Sequence, residues 1–154
     1  MEYKVALERA ARLCSSREHT VSDISTKLTE WGLSPENTKK AIDLLIKEKY
    51  IDESRYAGYF VKDKFRLSKW GRIKIRYALL RKQIPEKIIE EAIDGIDKEA
   101  YRETCLELLR QKDRTLKKES ILRRKSKLMQ FAIQRGFETG LVYEVIEEVT
   151  GNKR

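Results

Sequence analysis

Glycine and proline are scarce, at 7 and 2 of 154 residues. That leaves too little turn chemistry for a many-stranded sheet. Cysteine occurs only at Cys14 and Cys105. Two distant thiols make no disulfide framework, and both read as small buried hydrophobes. His19 is the single histidine. A metal centre needs clustered His, Cys or acidic ligands, and His19, with Cys14 and Asp23 nearby in sequence, reads as a loop or helix-capping residue. No run of 18 apolar residues occurs, and the opening MEYKVALERAARL has no apolar core of a leader. Neither a membrane span nor secretion is expected, so a cytoplasmic location is. No G-x-G-x-x-G, Walker pattern, nucleophile elbow or Cys–His pairing appears. The expectation is a protein without cofactor or metal, and not an enzyme.

What is present is charge and helix-forming residues. Charged residues are 38% and the hydrophobic set 40%, enough apolar material for a core. Glu, Lys, Leu, Ile and Arg dominate, which predicts an all-α chain. The balance of 34 basic and 25 acidic residues gives a net charge of +9. Such an excess favours a polyanionic partner or an acidic protein surface.

The chain repeats itself. Residues 33–45 (LSPENTKKAIDLL) align with 84–96 (IPEKIIEEAIDGI) at an offset of 51, and GFETGLVYEVIEEV at 136–149 follows at a further 53. Leu28 falls on Leu79, Ile24 on Ile75, and Leu33 on Ile84 and Phe137. Apolar spacing within each copy predicts three helices. In the first copy Thr20 and Asp23 form a capping box, Gly32 suits a left-handed helix end, and Ser34-Pro35-Glu36 starts the next helix. The prediction is three tandem three-helix repeats, at 1–51, 52–97 and 98–154, stacked into an elongated, curved body. Segment 110–127 has poor apolar spacing and reads as a long helix, a mobile connection, or both.

YIDESRYA, at 50–57, lies where the first copy meets the second. Asp52 and Glu53 are adjacent, so on a helix they point about 100° apart, which suits no shared acid–base cavity. They read as a structural joint: Asp52 caps the next helix, Arg55 pairs with Asp52 across its first turn, and Tyr56 starts its apolar stripe.

Basic residues concentrate late in the chain. Within 62–82 nine cations meet only Asp63, and within 110–127 nine meet Asp113 and Glu119. Local acids at helical spacing look insufficient to neutralise them. Candidate contact residues for DNA or an acidic partner are therefore Lys69, Trp70, Arg72, Lys74 and Arg76, with Arg123, Arg124, Lys125, Lys127 and Arg135. Arg72 and Arg76 share a helix face. The basic surface should be strong on the second and third repeats and fade over the first, where Lys39 and Lys40 serve as controls.

The run Tyr50-Ile51-Asp52-Glu53-x-Arg55-Tyr56-Ala57, then Gly71, Ile75, Leu79 and Ile84, resembles the middle repeat of the RecX family; Arg135-Gly136-Phe137 resembles the R-G-F of its last repeat. Two positions depart from the family pattern, with Lys69 and Gln83 standing where glycine is usual. The resemblance implies a three-repeat helical protein that binds the filament of the RecA recombinase on DNA, damps its recombination, ATPase and coprotease activities, and has some affinity for DNA. It supplies no catalytic residue. The expected DNA contact is sequence-independent and salt-sensitive, and the protein is expected to be a monomer. A tandem helix-turn-helix transcription regulator is the alternative, and a nuclease a weaker third.

Overall fold

The computed structural model describes residues 1–151. Among them are nine α-helices and no strand: α1 (Tyr3–Ser16), α2 (Val21–Glu30), α3 (Pro35–Lys47), α4 (Glu53–Arg66), α5 (Arg72–Arg81), α6 (Glu86–Asp94), α7 (Lys98–Arg114), α8 (Ile121–Gln134) and α9 (Thr139–Val149). None is long and apolar enough to cross a membrane. The ambiguous segment 110–127 is the end of α7, a turn, and the start of α8, with Ser120 as N-cap accepting from Arg123 N–H.

Local chemistry explains several helix starts. At α2 the Thr20 hydroxyl accepts from Asp23 N–H and the Asp23 carboxylate accepts from Thr20 N–H, so each satisfies the other's orphan donor. Ser34 caps α3 with Pro35 at the first helical position, where a missing N–H costs nothing. Asp97 caps α7 through Ala100 N–H.

The helix ends carry the repeat most plainly. Residues 32, 83 and 136 each have a left-handed backbone, with φ of 96°, 62° and 96°. They are separated by the same offsets, 51 and 53, that align the sequence copies. At each, the next residue's N–H reaches back to the helix: Leu33 to Leu28 O at 3.1 Å, Ile84 to Leu79 O and Phe137 to Ala132 O at 3.2 Å. This is the Schellman closure, which satisfies orphan carbonyls and sets an apolar residue against the last turn. Two of the three positions are glycine. Gln83 adopts the same conformation despite its Cβ, as does Lys69 at φ 59°; both therefore carry a local strain that glycine would not.

Burial follows the same register. Ile24, Ile75 and Leu128 are all 0% exposed, and Ile42, Ile93 and Ile146 are buried at 6%, 2% and 3%. Thr38 stands where Ile89 and Val142 stand in the other copies. It is buried, at 8% exposed, and its hydroxyl has no hydrogen-bond partner.

Spatially, the chain separates into two compact units. The first comprises Met1–Phe60 with Leu79–Glu90, and the second Val61–Ala78 with the chain from Glu91. Helices α4, α5 and α6 each contribute residues to both, so the sequence period and the packing unit are different subdivisions. In the first unit, small residues Ala6, Ala10 and Cys14 give α1 a flat face that joins Ile24, Leu28, Ala41, Ile42 and Leu45 in one cluster. In the second, α7, α8 and α9 pack mutually around Tyr101, Cys105, Leu109, Leu128, Phe137 and Val142. Each fully buried Leu, Ile, Val or Phe among them is worth about 1.5–3 kcal/mol when taken from water.

Candidate partner-binding surface

The joint at YIDESRYA is built from side chains. The Asp52 carboxylate accepts from Arg55 N–H at 3.0 Å and caps α4. Arg55 reaches Asp52 only at 3.9 Å; its close partner is Glu18, at 2.6 Å from Nε, and it also donates to Lys49 O. Glu53 does something local sequence cannot show: its carboxylate accepts from Val21 N–H at 2.9 Å, capping α2 rather than its own helix. Burial raises the Glu53 pKa, partly offset by the Val21 N–H and reinforced by nearby Asp23. Asp23 behaves oppositely. Its burial is outweighed by the Thr20 bonds and by Lys82, 3.2 Å away, so its carboxyl is held below the usual range. Tyr56 stacks on Phe60 with centroids 6.0 Å apart.

The start of α5, in the second unit, works differently. The residue before its first turn is Gly71, which has no side chain to cap it. Gly71 N–H donates to Arg135 O at 2.7 Å, Arg72 N–H to the Tyr101 hydroxyl at 2.8 Å, and Ile73 N–H to Gly136 O at 3.0 Å. These bonds require close backbone approach. A Cβ on Gly71 would overlap the Gly136 and Phe137 backbone, and one on Gly136 would overlap Lys74. Tyr101 donates in turn to Glu138 at 2.6 Å, and the Arg72 guanidinium lies 3.9 Å above the Tyr101 ring and 3.0 Å from Glu138. Burial pushes the Glu138 carboxyl up, but the Tyr101 and Arg72 bonds more than offset it, leaving its pKa lowered. Burial and the Glu138 bond drive the Tyr101 phenol well above its ordinary value.

This geometry sorts the candidate contact residues. Arg72 is spent inside the unit. Arg135 donates to Ser68 O at 3.1 Å and covers the Phe131 ring. Each cation of the stretch 123–127 has an acidic partner, with three carboxylates serving four cations. Arg123 and Lys127 both bind Glu119 (3.0 and 2.8 Å), Arg124 makes a two-pronged bond to Asp113, and Lys125 reaches Glu147 at 3.0 Å. Glu119 and Asp113 lie in the window itself, whereas Glu147 comes from α9. Sequence distance hid two of these pairs, because Arg124–Asp113 and Lys125–Glu147 close only when α7, α8 and α9 pack.

The α4–α5 turn keeps an outward basic face. Lys69 is exposed, its ammonium 2.9 Å from Arg66 O. Trp70 is half-buried, with the Lys64 and Lys74 ammonium groups 4.8 and 4.5 Å from its ring centroid. Arg76 is half-exposed, while Lys62 and Arg66 are exposed on the last turns of α4. Among the described residues no group of three or more His, Cys, Asp or Glu is placed to hold a metal ion.

A basic helical chain with repeated three-helix units and helix ends closed in one way defines a class: the tandem three-helix-domain proteins. Residues 52–93 match the family model described as RecX, second three-helix domain, and residues 99–146 that of the third. A regulatory protein RecX of Chlorobium phaeobacteroides is 33% identical over 146 residues, covering 95% of this chain and 94% of that one. One from Clostridium botulinum is 33% identical over 143 residues, 92% of this chain and 66% of its own length. The chain thus spans about two thirds of the clostridial relative. A crystal structure of regulatory protein RecX superposes with a TM-score of 0.86 at 27% identity, over 95% of this chain and 71% of that one. RecX from Lactobacillus salivarius, at 20% identity and TM-score 0.90 over 96% of each chain, shares the fold. The chain belongs to the RecX family, whose matched members are named regulatory proteins.

Proposed function

We propose that this protein modulates, and mainly inhibits, the RecA recombinase. It binds the RecA–DNA filament through a basic surface and damps recombination, ATPase and coprotease activity. The observation that carries the reading is family membership across 95% of the chain. The net charge of +9 supports it, as does the basic α4–α5 turn, because a nucleoprotein filament offers both phosphate and protein surface. The action is steric and electrostatic, with no bond made or broken. The three repeats, 1–51, 52–97 and 98–154, act as successive contact modules of a cytoplasmic monomer. Lys69, Trp70, Lys74 and Arg76 are the contact residues favoured in the middle repeat, whereas Arg72 and Arg124 hold the fold.

The test is RecA's DNA-dependent ATPase with and without this protein. A dose-dependent fall is expected, and no change at several-fold molar excess over RecA overturns the reading. DNA binding alone should be sequence-independent; contact with about six phosphates gives a log–log salt slope near −5 on duplex DNA. One tight preferred sequence would instead favour a transcription regulator.

A further inference from the structure

At the α7–α8 turn three cations of repeat three remain unspent. Arg114, Lys117 and Lys118 are exposed and among the described residues meet no acidic side chain, in contrast to the four paired cations just beyond them. Between them and Arg123, two apolar side chains face outward: Ile121 is 44% and Leu122 78% exposed. Exposed single leucines are ordinary on protein surfaces. An adjacent apolar pair that follows three unpaired cations within a few residues is a more specific pattern.

The turn is also held rigid. Leu116, only 7% exposed, anchors it in the unit. Leu116 N–H donates to Asp113 O, Glu119 N–H to Leu116 O, and the Thr115 hydroxyl to Lys112 O. The two-pronged Arg124–Asp113 bond ties the first turn of α8 to the last of α7. A contact made here loses little conformational freedom on binding.

We infer that the α7–α8 turn is a nucleic-acid wedge: Arg114, Lys117 and Lys118 engage phosphates while Leu122, flanked by Ile121, inserts against an opened base step. This rests on the DNA half of the proposed function and deepens it. An acidic protein surface satisfies the cations but needs a pocket cut for the leucine. A nucleic acid supplies a row of anions beside apolar base faces, and inserted aliphatic side chains unstack such steps. Because unstacking is cheaper where pairing is absent, the turn favours single-stranded or mismatched DNA over perfect duplex.

The experiment uses the full chain and an oligonucleotide carrying 2-aminopurine, whose fluorescence rises on unstacking, with anisotropy measured across a salt series. Wild type should bind and raise the fluorescence. Leu122→Ser should lose most of the rise and keep the salt slope. Lys117→Glu with Lys118→Glu should weaken binding at least tenfold and reduce the slope's magnitude on single strands by about 1.4, for two phosphates. Val5→Ser, at an exposed apolar residue of α1 (46%), should retain both signals, and circular dichroism checks each fold. Binding by wild type with turn variants unchanged overturns the wedge alone. No nucleic-acid binding by wild type overturns the wedge and the DNA half of the proposed function, while RecA inhibition is scored separately. Equal displacement by polyglutamate of matched charge assigns the turn to an acidic protein partner and also overturns the wedge.

Discussion

Two helix starts in this molecule solve one problem by opposite means. At α4 the orphan N–H of Arg55 is met by Asp52, three residues away, while Glu53 crosses to Val21. At α5 three N–H groups are met by backbone carbonyls of Arg135 and Gly136 and by the Tyr101 hydroxyl, all distant in sequence. The first start is modular: partly exposed carboxylates do the work, and each is replaceable at modest cost. The second depends on close backbone approach, where shape leaves no room. The difference teaches that a weak local signal, as at Trp70-Gly71, marks a helix whose start is set by tertiary packing.

The comparison can be broken most sharply at the glycines. Gly136→Ala adds a Cβ that overlaps Lys74 at a residue with φ of 96°. Overpacking and left-handed strain together should cost about 3 kcal/mol or more, lowering Tm by about 10 °C. A shift within a degree or two would show that the close approach is not maintained in solution. Tyr101→Phe keeps the ring but strands Arg72 N–H and one side of Glu138. Urea unfolding should show a loss of about 2 kcal/mol, the scale of an unsatisfied buried polar group. At the other start, Asp52→Ala should cost about 1 kcal/mol and leave RecA inhibition per folded molecule unchanged. Lost inhibition at unchanged stability would make the joint a contact site.

The smallest effect distinguishes the starts by sign. Glu138 has a lowered folded pKa, so its contribution is present above the ordinary glutamate pKa of 4.5 and is lost as pH falls through the folded value. Glu53 has a raised one, so its contribution is present below 4.5 and is lost as pH rises through the folded value. Stability curves from pH 7 to 3 should therefore diverge. Glu138→Gln should hurt most at neutral pH and progressively less in acid. Glu53→Gln should be close to wild type at pH 7, because the amide oxygen still accepts from Val21, and should fall behind as pH drops. Parallel curves would remove the electrostatic half of the contrast.

The helical class was legible because its cause is local. Thr20–Asp23, Ser34-Pro35 and Gly32 act within a few residues, and the 51- and 53-residue offsets aligned the buried positions. The Gln83 helix end was visible only as a departure from the family pattern; its left-handed conformation follows from the closure it shares with Gly32 and Gly136. What the sequence hid was non-local. Glu18 as the partner of Arg55, Glu53 as a cap for α2, and Glu147 as the partner of Lys125 all depend on which helices pack. Counting cations in a window therefore did not separate the paired 123–127 from Lys117 and Lys118, which meet no acid among the described residues.

Each compact unit holds one cysteine, and both thiols are shielded. Burial and the nearby Glu18 push the Cys14 thiol up to about 11, and burial pushes Cys105 to about 12. The molecule thus carries an internal clock for its own opening. A thiol reagent should leave the native protein almost untouched. Peptide mass mapping after partial modification would then tell which unit breathes first: labelled Cys14 reports the unit containing α1, and labelled Cys105 the unit containing α7. With no reactive native thiol competing, a cysteine introduced at Leu122 would carry a crosslinker or dye to the turn without removing either original one.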